Sequence, residues 1–370
     1  MVNLSIEITG GKTVFKANQT ISGNVVVECS QPIDFKSIEI TFKGTAKVQW
    51  TEHHGKNSTT YTGKQSYFEN TVTLLTSTGQ KIPSGRNTYP YQFTLPPNLP
   101  SSFEVQHGYI RYRMQAKLDE GLTSKKNQLF FTVLEHVDLN KISSAKHPSS
   151  METSKTLCCL CCASGLIEGR VTTDKTGIVP GEYITANGSV DNMSNSNLRK
   201  CSMRIVQVTQ LHADACGAGK TKTIVNVLTD SGNMGKPCAK RSSVTLDTQK
   251  LQLPAVVPSH QQFCRVIDVE YYVELDCKTP RCHFNLKVRA PLEVGTIPLD
   301  HGAQGTETSL DQPSYGAPSG MAPAQYSIPP PSYASAATVT IPKSDDNPQE
   351  QTYAPQYNYY DWSQPAFTYK

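Results

Sequence analysis

The chain has 370 residues, with 35 Lys+Arg against 31 Asp+Glu, a formal net charge of +4, and only 18% charged and 37% hydrophobic residues. At about 100 to 200 residues per domain, that length predicts two or three domains. The composition excludes a coiled coil, which needs far more charge and Leu, and a chain unfolded throughout by charge repulsion. It gives no sign of a nucleic-acid binder, and its low apolar average predicts an ordinary core mixed with a polar segment that buries nothing.

Short stretches with period-2 apolar alternation dominate the first 299 residues, and no long helical stripe is evident. Ile21, Val25 and Val27 lead, followed by Ile38, Ile40 and Phe42 with Glu39, Thr41 and Lys43 between, which is the signature of half-buried strands. A polar stretch from Thr51 to Thr60, with His53-His54, reads as a hairpin loop. Further strands are expected at Val72 to Leu75, Tyr89 to Leu95, Tyr109 to Leu118 and Leu129 to Leu134. Gly10-Gly11, Pro83-Ser84-Gly85 and Pro96-Pro97-Asn98 punctuate them as turns. Many short strands without intervening helices predict an all-β chain of sandwiches.

The pattern occurs twice. A shift of 163 lays Ala17-Asn18-Gln19-Thr20-Ile21-Ser22 over Pro180-Gly181-Glu182-Tyr183-Ile184-Thr185, and Ile38, Ile40 and Phe42 over Cys201, Met203 and Ile205. A second block pairs Leu95-Pro96 with Leu253-Pro254, and Ile110 and Tyr112 with Val269 and Tyr271. Two sandwiches are therefore expected over 1–145 and 165–298, with a hinge over 146–164 beginning near His147-Pro148.

From residue 299 the composition changes. Asp300 to Lys370 holds ten Pro and eight Tyr, with two basic and seven acidic residues. Such a segment lacks the aliphatic content to offset its ordering entropy and is expected to be a disordered tail. Setting it aside leaves 33 basic and 24 acidic residues, a body of +9 against a tail of −5. That contrast of sign leads to the expectation that the tail rests against its own domains until a partner displaces it.

Eleven cysteines would suit a secreted protein, but Met1 to Val14 shows no basic then apolar leader. The most apolar run, Leu157 to Ile167, falls short of the roughly 20 residues that span a bilayer. The chain is expected to be cytosolic with mostly reduced thiols. The cluster Cys158-Cys159-Leu160-Cys161-Cys162 admits three readings: small side chains in a strand or linker opening the second sandwich, reversible palmitoylation at Cys158, Cys159, Cys161 and Cys162, or metal and redox chemistry with Cys277 and Cys282-His283.

No catalytic pattern is present. Gly217-x-Gly219-Lys220-Thr221 lacks the leading Gly and four-residue gap of a phosphate loop, so no cofactor and no enzyme is expected. Arg111 and Arg113, and Lys200 and Arg204, alternate on strands and read either as a basic surface for anionic partners or as the solvated face of a sheet.

The tail carries Pro330-Pro331-Ser332-Tyr333. Consecutive prolines hold polyproline II at little entropic cost, and the Tyr fills a neighbouring pocket, so this is the Pro-Pro-x-Tyr ligand of WW domains. A tail of this composition yields roughly 0.15 such matches by chance. Two near misses, Gln312-Pro313-Ser314-Tyr315 and Ala354-Pro355-Gln356-Tyr357, lack the first Pro and are expected to bind weakly or not at all.

Together these parts resemble the α-arrestins, the arrestin domain-containing proteins, along essentially the whole chain. The matching residues include Val14-Phe15, Ile21-Ser22-Gly23-Asn24-Val25, Ile38-x-Ile40-x-Phe42-x-Gly44, Tyr67-Phe68, Gly177-Ile178-Val179-Pro180-Gly181-Glu182-Tyr183-Ile184 and Asn192-x-Ser194. Lys16-Ala17-Asn18-Gln19 departs from the Pro-Gly-Glu commonly seen in the first repeat. The resemblance implies two tandem arrestin-type β-sandwiches and an adaptor rather than an enzyme. It implies WW domains of HECT-type ubiquitin ligases as partners through Pro330, Pro331 and Tyr333, and cytoplasmic parts of receptors or transporters as cargo. Cytoplasmic residence with recruitment to plasma membrane and endosomes goes with that role, as does peripheral membrane association. The runner-up is an endosomal sorting or signalling scaffold, including one that binds thioredoxin through Cys201, Cys216, Cys238 or Cys264.

Overall fold

The structure, a computed structural model, describes residues 2–55, 57–159, 162–215, 217–231, 235–259, 262–280, 284–300, 332–336 and 353–362; the side chains of 54 and 158–164 lie outside the description. The first copy comprises β1 (Val2–Ile8), β2 (Val14–Phe15), β3 (Thr20–Cys29), β4 (Ser37–His54), β5 (Asn57–Thr76), β6 (Gly85–Thr94), β7 (Phe103–Val105), β8 (Gly108–Asp119) and β9 (Ser124–Val133). The second comprises β10 (Ser149–Cys159), β11 (Cys162–Thr173), β12 (Gly177–Ile178), β13 (Tyr183–Asn192), β14 (Leu198–Ala215), β15 (Ala218–Asp230), β16 (Lys236–Cys238), β17 (Ser242–Gln252), β18 (Ile267–Lys278) and β19 (Leu286–Val294). The tail contributes β20 (Ser332–Ser335) and β21 (Gln356–Tyr359).

Each copy is a sandwich. In the first, the sheet β1-β3-β6 faces a sheet ordered β5-β4-β8-β9-β2; in the second, β10-β11-β13-β17 faces β14-β18-β19-β12. The inward residues alternate as the sequence predicts, with Ile38, Ile40, Phe42, Ile110, Tyr112 and Met114 wholly buried in one copy and Cys201, Met203, Ile205, Val269, Tyr271 and Val273 in the other. The duplication extends to register: Ile38 lies opposite Leu118 as Cys201 lies opposite Cys277. The phenols of Tyr112 and Tyr271 both donate into a buried carbonyl, of Pro100 at 2.7 Å and of Val257 at 2.6 Å.

Two expectations are corrected. The stretch 51–60 is not a loop, because β4 and β5 stay paired from Ser37↔Thr76 to His54↔Asn57. Trp50 stacks on Tyr61 at 5.5 Å and Thr51 bonds Thr60 across the strands at 2.9 Å, so polar cross-strand pairs extend the hairpin where apolar alternation ends. Likewise most of the stretch read as a hinge is strand, since β10 pairs with β11 from Ser149↔Thr173 to Cys159↔Cys162. It is an edge strand exposed along most of its length, with Leu157 alone among its described side chains buried, and so shows no alternation to read. The long hairpins of the two copies meet: Asp214 in β14 pairs with Thr62 in β5, Lys220 forms an ion pair with Glu52, and Lys222 lies over the Trp50 ring at 5.8 Å. Among the described residues no helix is long and apolar enough to cross a membrane.

The loops that open the two copies repeat atom for atom. Asn18 N donates to Leu95 O and Leu95 N to Gln19 O, as Gly181 N donates to Leu253 O and Leu253 N to Glu182 O. Leu134 N donates to Phe15 O as Gly295 N donates to Ile178 O. Lys16, Ala17 and Asn18 thus correspond to Val179, Pro180 and Gly181, and Glu135 to Thr296. Gln19 also does the work of the acid it replaces. Its Oε1 accepts from Lys16 N at 3.0 Å and from Lys12 Nζ at 2.9 Å, while Glu182 accepts from Val179 N at 3.1 Å and from Lys175 Nζ. The departure from Pro-Gly-Glu therefore leaves the turn intact.

Candidate functional site

The polar tail buries side chains in one of its two described segments. Residues 353–362 cross from the first sandwich to the second as a strap held by Tyr353, Tyr357 and Tyr360. The Tyr353 ring stacks on Phe130 with centroids 5.2 Å apart, and its hydroxyl donates to Phe131 O at 3.1 Å. Gln356 N donates to Thr132 Oγ1 at 3.2 Å and the Gln356 side chain accepts from Thr13 Oγ1 at 2.9 Å. The Tyr357 hydroxyl reaches Ser102 O at 3.0 Å. On the second sandwich, Asn358 Nδ2 and the Tyr360 hydroxyl both donate to Thr296 O, at 3.2 and 2.7 Å, and Tyr360 N donates to Pro180 O at 3.0 Å.

Tyr357 and Tyr360 are 3% and 4% exposed, so the strap is part of the packed molecule. Burial pushes the phenols of Tyr353 and Tyr360 up to about 12 and that of Tyr357 well above its ordinary value, which keeps all three hydroxyls protonated donors at neutral pH. A glycine makes the landing place. Gly181, at φ 93°, would place a Cβ 2.0 Å from Tyr360 O, so no other residue admits the strap backbone there. The contact expected from charge contrast is thus made through rings and hydroxyls. The near miss Ala354-Pro355-Gln356-Tyr357 lies within the strap, with its tyrosine inaccessible.

Tyr333, from the Pro-Pro-x-Tyr sequence, sits on β20, which among the described residues pairs only with the strap. Its Cα partner is Asn358, Ser332 Oγ donates to Tyr359 O at 3.1 Å, and Ala336 N donates to Pro355 O at 3.0 Å. The Tyr333 side chain remains 52% exposed. Pro330, Pro331 and Gln312 to Tyr315 lie outside the described residues.

The four basic residues noted from alternation do not form one patch. Arg111 and Arg113 line a cleft of about 380 Å³ with Lys43, Lys47, Lys64 and Phe130. Arg111 is tied to buried Glu104 at 2.5 and 2.9 Å. Arg204 instead binds Glu274 at 2.5 Å, an acid with no exposure that Arg289 also meets at 2.6 Å, so its charge is cancelled within the sheet. Lys200 is half-buried opposite Lys278.

Cys159 lies opposite Cys162 at the end of the β10–β11 hairpin; their side chains, those of Cys158 and Cys161, and Cys216, Cys282 and His283 are outside the description. Among the described residues no group of His, Cys, Asp and Glu is arranged to hold a metal ion. Cys201, Cys238 and Cys277 are buried free thiols. Burial pushes the Cys238 and Cys264 thiols up, away from the thiolate that thiol exchange needs.

Family profiles for the arrestin (or S-antigen) N-terminal domain and C-terminal domain match residues 4–140 and 163–299. The chain belongs to the α-arrestin family. It is similar to "Arrestin domain-containing protein 17" of Caenorhabditis elegans, 29% identical over 315 residues, covering 79% of this chain and 71% of that protein. It is also similar to human "Arrestin domain-containing protein 1", 24% identical over 85% of this chain and 68% of the relative, and to human "Arrestin domain-containing protein 4", 26% identical over 78% and 70%. As an α-arrestin, the chain is placed among non-enzymatic, protein-binding adaptors at the level of the family.

Tyr353, Tyr357 and Tyr360 are the functional residues that sequence reasoning missed. The available signal was an excess of tyrosine in a segment otherwise poor in aliphatics: a tail that merely tethers has no use for so many rings.

Proposed function

We propose that this α-arrestin is an adaptor that brings membrane cargo, through cytoplasmic parts of receptors or transporters held on the two sandwiches, to a WW-domain HECT-type ubiquitin ligase. The tail sequence Pro330-Pro331-Ser332-Tyr333 is the ligase ligand, and the outcome is cargo ubiquitination, endocytosis and endosomal sorting. The protein works in the cytoplasm and is recruited to plasma membrane and endosomes through what it binds. The observation that carries this reading is Tyr333, an aromatic side chain left 52% exposed on a strand whose backbone pairs, among the described residues, with the strap alone. An edge so lightly held can be peeled off and rebuilt as the polyproline II ligand a WW groove requires.

Tyr333→Ala is expected to abolish most binding in a pull-down with isolated WW domains; undiminished capture would sink the assignment. Phosphorylation of Tyr333 adds close to two negative charges to a side chain that must enter a mainly apolar groove. The phosphorylated peptide is therefore expected to bind more weakly in titration, and equal affinity would count against the pocket assigned to this ring.

A further inference from the structure

Between the first loop and the end of β9 lies a cleft of about 420 Å³. Ala17, Leu99, Leu134 and Phe263 give it apolar walls, Glu135 belongs to its lining, and the exposed Lys16 stands at its mouth. Glu135 is only 9% exposed, and its Oε2 has no hydrogen-bond partner among the described residues. A buried carboxyl oxygen left without a donor is costly, and in a native structure it calls for an explanation.

The duplicated backbone supplies one. In the second sandwich the residues corresponding to Ala17 and Glu135 are Pro180 and Thr296, and Tyr360 takes the main-chain oxygens of both. The Tyr360 ring fills the space there against Leu139, Ala145, Val179 and Leu299. The same frame in the first sandwich holds an open cleft with an unused acceptor. We infer that the cleft beside Glu135 is a docking site for a tyrosine side chain presented by a partner polypeptide, received as Tyr360 is received by the second copy.

Two differences between the copies shape what enters. Asn18 stands where Gly181 stands and shares its left-handed backbone, at φ 64°, but it carries the Cβ that excludes a chain lying flat on the loop. The strap backbone therefore lies on the opening loop of the second copy and not on that of the first, which admits a side chain end-on. The acceptor is a carboxyl group instead of a carbonyl, and once ionised it strengthens a hydrogen bond from a phenol. Lys16 at the mouth, in place of Val179, repels a lysine or arginine that would otherwise compete for Glu135. The ring finds apolar walls, and the hydroxyl finds Glu135 Oε2, a buried atom with no donor among the described residues. This site is separate from ligase docking and stands whether or not Tyr333 binds a WW domain.

The test uses the full chain with ¹³C-methyl-labelled leucine and the capped peptides Ala-Ser-Tyr-Ser-Ala, Ala-Ser-Phe-Ser-Ala and Ala-Ser-Arg-Ser-Ala. The tyrosine peptide is expected to shift the Leu99 and Leu134 methyls saturably while leaving Leu253 and Leu299, beside the occupied counterpart, unmoved. At pH 8, where the Glu135 carboxyl is ionised, the phenylalanine peptide is expected to bind about tenfold more weakly, the worth of one hydrogen bond to a charged acceptor. Asn18→Gly, which gives the first loop the flatter floor of the second, is expected to tighten the tyrosine peptide. The inference is overturned if the Leu99 and Leu134 methyls do not respond up to millimolar peptide, if Tyr and Phe peptides bind alike, or if the arginine peptide binds best. Because the peptide series uses the unaltered protein, it does not depend on any variant folding.

Discussion

Residues 16–19 and 179–182 are one loop written twice, and they differ in what they hold. Both make the same three main-chain hydrogen bonds, and both are braced by the side chain at the fourth position, Gln19 or Glu182. The second loop carries Gly181 and is covered by the tail; the first carries Asn18 and is open. Backbone geometry can thus be conserved through a duplication while a single Cβ decides whether a segment of the same chain may lie upon it.

The comparison breaks most completely at Gly181. Gly181→Asn places a Cβ where the Tyr360 carbonyl lies at 2.0 Å, and the strap cannot shift without losing the bonds of Tyr360 to Pro180 and Thr296. Near-complete release of residues 353–362 is expected, seen as rapid hydrogen exchange and proteolysis across the segment while β12–β19 stays protected. Continued protection of the strap would mean that its other anchors suffice.

A smaller effect concerns Glu135. Burial pushes its carboxyl up to about 7, with Lys16 and His136 the other titratable groups lining its cleft. The folded state therefore holds a proton that the unfolded chain gives up near its ordinary value. Stability from this group is fully present below about pH 4.5 and is lost as pH rises through 7. Glu135→Gln is expected to remove that slope and to raise stability by about 3 kcal/mol at pH 8, at 1.36 kcal/mol per pH unit. Denaturant melts at pH 5 and pH 8 check it, and parallel curves for variant and parent would contradict it.

The braces differ in a finer way. Glu182 is a buried acid bonded to Lys175 and Val179, so Glu182→Ala is expected to cost about 3 kcal/mol by stranding its partners. Gln19 is a neutral acceptor whose bonds to Lys12 and Lys16 are more exposed, and Gln19→Ala is expected to cost about 1 kcal/mol. Equal losses in thermal unfolding would show that charge adds nothing to the second loop.

Much of the fold was legible, for a physical reason. Strands buried on one face write their register into alternation, so Ile38-x-Ile40-x-Phe42 and its partner Cys201-x-Met203-x-Ile205 declared the sheets and their duplication. What lay outside alternation was missed. The outer hairpin of β4 and β5 is held by threonine pairs and stacked rings, and β10 is an edge strand exposed on both faces. The candidate site was legible only as a motif. Tyr333 was readable because Pro-Pro-x-Tyr is local, whereas Tyr353, Tyr357 and Tyr360 matter through Ser102, Thr296 and Pro180, more than 60 residues away in every case. Of the four alternating basic residues, Arg111 and Arg113 share a cleft, whereas Arg204 faces two acids that no nearby residue in sequence announced.

The strap has one end bonded to Phe131, Thr132 and Ser102 and the other to Thr296 and Pro180. Only a few residues separate its two sets of anchors, and extended chain has no slack to give. It is therefore a gauge of the distance between the sandwiches. Any ligand that turns one sandwich against the other must work against the strap, and by reciprocity any event that lifts the strap lowers the free energy of that turn by the same amount. Tail occupancy and interdomain angle are in this sense a single variable read at two places.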